Sequence, residues 1–198
     1  MLLVLALAGL LGACSSAPSH YYVLSAVLSA QPRAIRPTPE ALFGTTVAIG
    51  AIQLPGALDR PQIARRIGPN QLDYAENERW AGPLDEMIRQ VLAADLRSRL
   101  PPRVTMIDND SAAPANLTIA VTISRFDADK SGQVTLEAGW EILAKSAAIV
   151  ATPDEARIVE PASGSDTAAL AATMSRALAT LAEHIAAGLR GEAIASSR

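Results

Sequence analysis

"NLTIAVTISRFDADKSGQVTLEAGWEILAKSAAIV", Asn116 to Val150, decides how the rest of the chain is read. Leu117, Ile119, Val121 and Ile123 alternate with Thr118, Ala120 and Thr122, the period of a strand that buries one face. Lys130-Ser131-Gly132 interrupts the run with turn residues, and Gln133 to Val150 resumes it. The arms Asn116–Asp127 and Gln133–Val150 therefore predict a long antiparallel hairpin. Thr118, Thr122, Thr135 and Glu137 fall on its outward, wetter face.

A hairpin buried on one face needs a second layer, and two helical patterns supply it. From Pro83 to Leu100, apolar residues recur at Leu84, Met87, Ile88, Val91, Leu92, Leu96 and Leu100, three or four apart along most of the run. Asp85 and Glu86 in the first turn and Arg97 and Arg99 in the last complement the helix dipole, and Pro101-Pro102 ends it. Ser165 to Leu189 reads as a second helix, capped by Ser163 or Ser165, with Leu170, Met174, Ala177, Leu178, Leu181, Ile185 and Leu189 as its buried stripe. Shorter strand signals lie at His20–Leu24, Thr45–Ile52, Arg103–Asp108 and Arg157–Val159. Gln62–Ile67 and Gln71–Tyr74 form a further hairpin around Gly68-Pro69-Asn70, and the polar run after it, with Glu76 and Glu78, leads to Trp80 at the start of the first helix. Pro32, Pro37 and Pro39 mark a loop. The expected fold is an α/β (α+β) sandwich: one mixed, largely antiparallel sheet with two long helices packed on one face. Residues 20–190 form a single domain in this reading, with 191–198 a flexible tail.

The N-terminus is of another kind. Met1 to Ala13 is apolar or small throughout, the h-region of a secretory signal, and too short to span a bilayer. It ends in Leu11-Gly12-Ala13-Cys14, which resembles the lipobox of bacterial lipoproteins. Small side chains let the peptidase reach the backbone there, and the Cys14 thiol accepts a diacylglyceryl group. Cys14 is the chain's one cysteine, so no internal disulfide is available to it. Ser15 to Ser19 is a short tether. Serine rather than aspartate after the cysteine matches, by resemblance to enterobacterial sorting rules, the outer membrane. No Lys or Arg precedes the apolar run, so either the start codon lies upstream or the signal is atypical.

Composition narrows function further. The 198 residues carry a formal net charge of -3, against the basic excess of a nucleic-acid-binding domain. After Cys14 no apolar run reaches the ~18 residues that a spanning helix needs. There are two histidines, His20 and His184, and neither sits in a His/Cys/carboxylate cluster with metal spacing. No G-x-S-x-G elbow or phosphate-binding glycine loop occurs, and Ser163-Gly164-Ser165 reads as loop and cap. Glu76 and Glu78 read as solvated acids. No catalytic residue, cofactor or metal is expected.

One stretch carries more than composition: "VAIGAIQLPGALDRPQIARRIGPNQLDYAENERWAGPLDEMIRQVLAADL", Val47 to Leu96. A strand ending in Leu54-Pro55, then Leu58-Asp59-Arg60-Pro61-Gln62-Ile63, a short hairpin, and Glu78-Arg79-Trp80-Ala81 before Pro83-Leu84 resembles the ABC-type transport auxiliary lipoproteins, the PqiC (YmbA) family. Tyr21-Tyr22-Val23-Leu24 and the helix containing Ser175 to Ala186 agree with it. The resemblance implies an outer-membrane-anchored accessory lipoprotein facing the periplasm and serving an MCE/ABC-type intermembrane lipid transport system. Its implied partners are an MCE-domain protein, inner-membrane ABC transporter components and further copies of itself in a ring. It would dock the conduit and support envelope integrity without catalysis. A stand-alone lipid- or solute-binding lipoprotein with a deep apolar pocket is the alternative. Leu58, Asp59, Arg60, Pro61, Gln62, Arg79 and Trp80 have two readings. They are either an internally satisfied turn, with Arg60 paired to Glu78 or another acid and Trp80 in the core, or a surface that contacts a partner.

Overall fold

The computed structural model describes residues 17–28, 42–100, 103–108, 114–145 and 154–190. Its centre is the hairpin read first from the sequence: β6 (Leu117–Ala128) and β7 (Val134–Ala144) pair antiparallel along their whole length. Gly132, at φ +81°, turns the chain between them. Asp129 Oδ1 accepts the backbone N–H of Ser131 at 2.8 Å and of Gln133 at 3.1 Å, which fixes the loop. β7 ends at Ala144, and the rest of the arm expected to reach Val150 falls largely outside the described residues.

The eight strands among the described residues make one mixed sheet. β2 (Thr46–Gln53) lies parallel to the first half of β6, on the edge away from β7, and β5 (Thr105–Met106) lies parallel to β2. The strand expected over Arg103–Asp108 is thus only two residues long. β3 (Gln62–Gly68) meets β6 at Arg65 and Ala128 and pairs antiparallel with β4 (Gln71–Trp80), whose far edge takes β1 (His20–Tyr22) in parallel. β8 (Asp154–Glu160) extends β7 antiparallel. The two longest ladders, β6–β7 and β7–β8, are antiparallel.

Two expectations change here. β4 runs through Glu76 and Glu78 to Trp80, so these residues belong to a strand and not to the lead-in of a helix. β1 explains why: its backbone pairs with Glu78, Arg79 and Trp80, holding a polar sequence extended. Thr135, expected on the wet face, is 5% exposed. It sits opposite Asp127, and the reason is a bulge. The β6–β7 register shifts between Ile123 and Arg125, so inward positions pass from Ile119, Val121 and Ile123 to Phe126 and Ala128. Past the bulge the outward face carries Arg125, Asp127, Thr135 and Glu137, which cover one another.

The second layer is α1 (Leu84–Arg99) and α2 (Thr167–Leu189), packed together and against the sheet. α1 buries Leu84, Ile88, Val91, Leu92 and Leu96, and Leu100 closes it in extended conformation before two prolines. α2 buries every residue of its expected stripe. Its N-cap is Asp166, whose side chain accepts from the Ala169 N–H at 2.7 Å; neither Ser163 nor Ser165 holds that position. Ser163 instead bonds the Ala169 carbonyl and the Thr173 hydroxyl. Among the described residues no helix is long and apolar enough to cross a membrane.

Candidate functional site

The turn between β2 and β3 is assembled from the motif residues. Pro55 supplies its carbonyl to the Leu58 N–H at 2.8 Å and the Asp59 N–H at 3.3 Å, and the Leu58 carbonyl accepts the Arg60 N–H at 2.8 Å. This tight path drives the Leu58 side chain into the core, where it is 5% exposed. Asp59, Arg60 and Pro61 are left on the surface. The Pro61 carbonyl then accepts the Trp80 N–H at 2.7 Å, and Gln62 lies opposite Arg79. Trp80 closes the strand end, buried in the core cluster beside partly buried Tyr22. All seven motif positions therefore meet at one end of the β3–β4 pair.

Their roles divide between the two readings. Leu58 and Trp80 are core. Arg60 does not pair with Glu78; its guanidinium stacks 4.8 Å from the centre of the Tyr74 ring, while the Tyr74 hydroxyl donates to the Ala57 carbonyl. Glu78 is taken by Arg65 at 3.3 Å and by the Thr167 hydroxyl at the start of α2, to which Arg65 also donates at 2.6 Å. Arg79 is tied to its own strand through the Glu76 carbonyl. Asp59 and the stacked Arg60 are the exposed charges of the turn. Cys14 and the lipobox residues Leu11, Gly12 and Ala13 lie outside the described residues.

Two polar constructions went unread in the sequence. On the outer face of the sheet Asp127, 2% exposed, accepts from Arg66 through both carboxylate oxygens and from Arg125 through one. Hydrogen bonding to Asp127 holds the Arg66 guanidinium above its ordinary pKa, against the desolvation that would lower it. Glu137 links the group to Arg157 at 3.2 Å.

The second lies under the segment after β1. Ser25 N–H donates to Ser175 Oγ at 3.1 Å. Val27 is gripped twice: its N–H donates to Asp95 Oδ1 at 2.8 Å and its carbonyl accepts from Arg99 Nη2 at 3.1 Å. Asp95 is fully buried, its Oδ2 has no partner, and burial pushes its carboxyl up to about 6. Arg99, 3.4 Å away, and the Val27 N–H oppose that rise, and Glu183 adds slightly to it. The spacing held a signal: Leu84, Ile88, Val91 and Asp95 step by four, three and four, so a carboxylate occupies the apolar stripe of α1. His20 is exposed, His184 lies 6.5 Å from Trp140, and no metal-binding group of three occurs among the described residues.

A model of the ABC-type transport auxiliary lipoprotein component family matches residues 22–186. The chain belongs to that family. Its members are auxiliary lipoproteins of transport systems. The intermembrane transport lipoprotein PqiC of Escherichia coli K12 is 29% identical over 113 residues, and the same protein of Shigella flexneri matches equally. The match covers 56% of this chain and 59% of the relative, so the chain spans about three fifths of the length of the curated relatives it matches. Protein XCC0632 from Xanthomonas campestris shares the fold with a TM-score of 0.70 at 19% identity, covering 87% of this chain and 97% of that one. A second crystal structure does so with a TM-score of 0.68 at 18% identity, over 86% of this chain and 97% of that one. The mixed sheet with two helices on one face is thus the fold of this family's structural relatives.

Proposed function

We propose that the chain is an outer-membrane-anchored, periplasm-facing accessory lipoprotein of an MCE/ABC-type intermembrane lipid transport system. Membership of the auxiliary-lipoprotein family, with the match running from Tyr22 into α2, carries the reading. Cys14 takes the acyl chains and becomes the first residue of the mature protein. The folded part docks the MCE-domain conduit, alone or as a ring of copies, and supports envelope integrity without bond chemistry. Asp59 and Arg60 suit a contact role, because the turn that exposes them is already fixed by Leu58, Pro55 and Trp80 and needs no partner to form.

The test is co-purification of the full-length, acylated chain from its own envelope. Recovery of an MCE-domain protein with transporter subunits is expected. Repeated recovery without any of them, from cells that express the cognate components, overturns the proposal. A Cys14→Ala variant is expected to leave the outer-membrane fraction; one that still fractionated there overturns the anchor.

A further inference from the structure

The exposed apolar side chains are concentrated in one place. Among the described residues six large ones stand out on the surface, and four of them, Tyr21, Val23, Val27 and Leu28, come from eight consecutive residues. Exposed apolar residues scattered singly are ordinary; a cluster on one segment marks a contact. This segment forms one wall of an open groove of about 450 Å³ whose other wall is the small-residue face of α2 at Ala168, Ala171 and Ala172. The wall is rigid. Ser175 holds Ser25, Asp95 and Arg99 hold Val27, and Leu24 is buried beneath, so the backbone keeps its apolar side chains outward.

We infer that this groove and its lip are a membrane-seating face, laid against the lipid of the leaflet that carries the anchor. The inference rests on Cys14 being that anchor. Tyr21 follows Cys14 by seven residue steps, so even fully extended the chain lets Tyr21 lie no more than about 25 Å from the acylated residue. The surface around Tyr21 is therefore the part of the fold the tether keeps nearest the headgroups. Its chemistry suits that place. Aromatic residues with a polar tip favour the membrane interface, and aliphatic ones gain by leaving water. Among the described residues the groove lining has no carboxylate although the chain is net -3, and Arg176 is its one charged residue. Arg176 donates to the Pro161 carbonyl and Thr173 and lies 3.8 Å from Glu160, which sets its guanidinium at the rim. A seating face of this kind adds a second contact to the acyl chains and fixes the orientation of the domain on the leaflet.

Brominated-lipid quenching tests it on the full-length acylated protein. Val23→Trp, with Leu28→Trp as a second reporter, is reconstituted in phosphatidylethanolamine/phosphatidylglycerol vesicles with plain or dibrominated acyl chains. Val159→Trp, on β8 and outside the groove, is the control, and the signal of buried Trp80 and Trp140 is subtracted. The expected result is at least twofold quenching at position 23 or 28 and none at 159. No quenching at 23 and 28 in acylated, vesicle-bound protein overturns the seating face and leaves the anchor intact. Equal quenching at all three positions overturns it too, as does burial of position 23 by self-association without quenching. A mass for the N-terminal peptide that shows no acyl group on Cys14 removes the anchor, and the seating face with it.

Discussion

Leu58 and Arg60 are two residues apart in one turn and do different work. Leu58 fills the core, and truncating it to Ala removes buried methyl groups and leaves a cavity, at about 2–4 kcal/mol. Arg60 stacks on Tyr74 at the surface, so Arg60→Ala is expected to change stability by less than ~0.5 kcal/mol, and under the proposed function to weaken capture of an MCE-domain protein. Urea unfolding of both variants checks the first half. A Leu58→Ala loss below about 1 kcal/mol contradicts the packing role. Asp127 is the other residue with a sharp prediction. Asp127→Asn leaves Arg66 and Arg125 facing each other without their shared carboxylate, at roughly 2 kcal/mol. An unchanged urea midpoint contradicts that account. The motif turn was legible as a turn because Pro55, Gly56 and Pro61 advertise it. Asp127 was not legible, because its burial depends on a bulge at Ser124 that alternation alone does not announce.

At the scale of elements, α1 carries a carboxylate inside its apolar stripe, and this has a pH consequence. The Asp95 carboxyl titrates near pH 6 in the folded chain, above the ~3.9 of an unfolded aspartate. The folded state holds its proton more tightly, so the stability this group contributes is complete below about pH 4 and is lost as pH rises through 6. The difference is on the order of 3 kcal/mol. Asp95→Asn keeps an acceptor for the Val27 N–H and has no proton to lose. Its urea stability relative to the parent is therefore expected to rise between pH 4 and 6.5, a comparison in which the other carboxylates cancel. A relative stability that is flat or falls over that window contradicts the assignment. The helices themselves were readable residue by residue, since spacing reports a buried face directly. The strands were readable where they alternate and missed where pairing overrides sequence. β4 extends to Trp80 because β1 returns from far upstream to pair with its end, and no local signal in Glu76-Asn77-Glu78 records that.

For the whole molecule, the layer arrangement followed from two amphipathic helices and one dominant hairpin. The order of strands did not, because β1, β2 and β5 join by parallel pairing with partners distant in sequence. Function follows the same division. The Val47–Leu96 stretch pointed to the transport auxiliary lipoproteins from the sequence, whereas the exposure of Asp59 and Arg60 and the apolar lip at Tyr21–Leu28 needed the fold. The central claim is that this lipoprotein contacts an MCE conduit in the envelope. A photo-crosslinking amino acid at position 60 of the full-length, acylated chain tests it in intact cells, with the same group at exposed Lys130 as the control. The account predicts a covalent adduct with the MCE-domain protein from position 60 and not from 130. Absence of that adduct at 60 in cells that express both partners contradicts it.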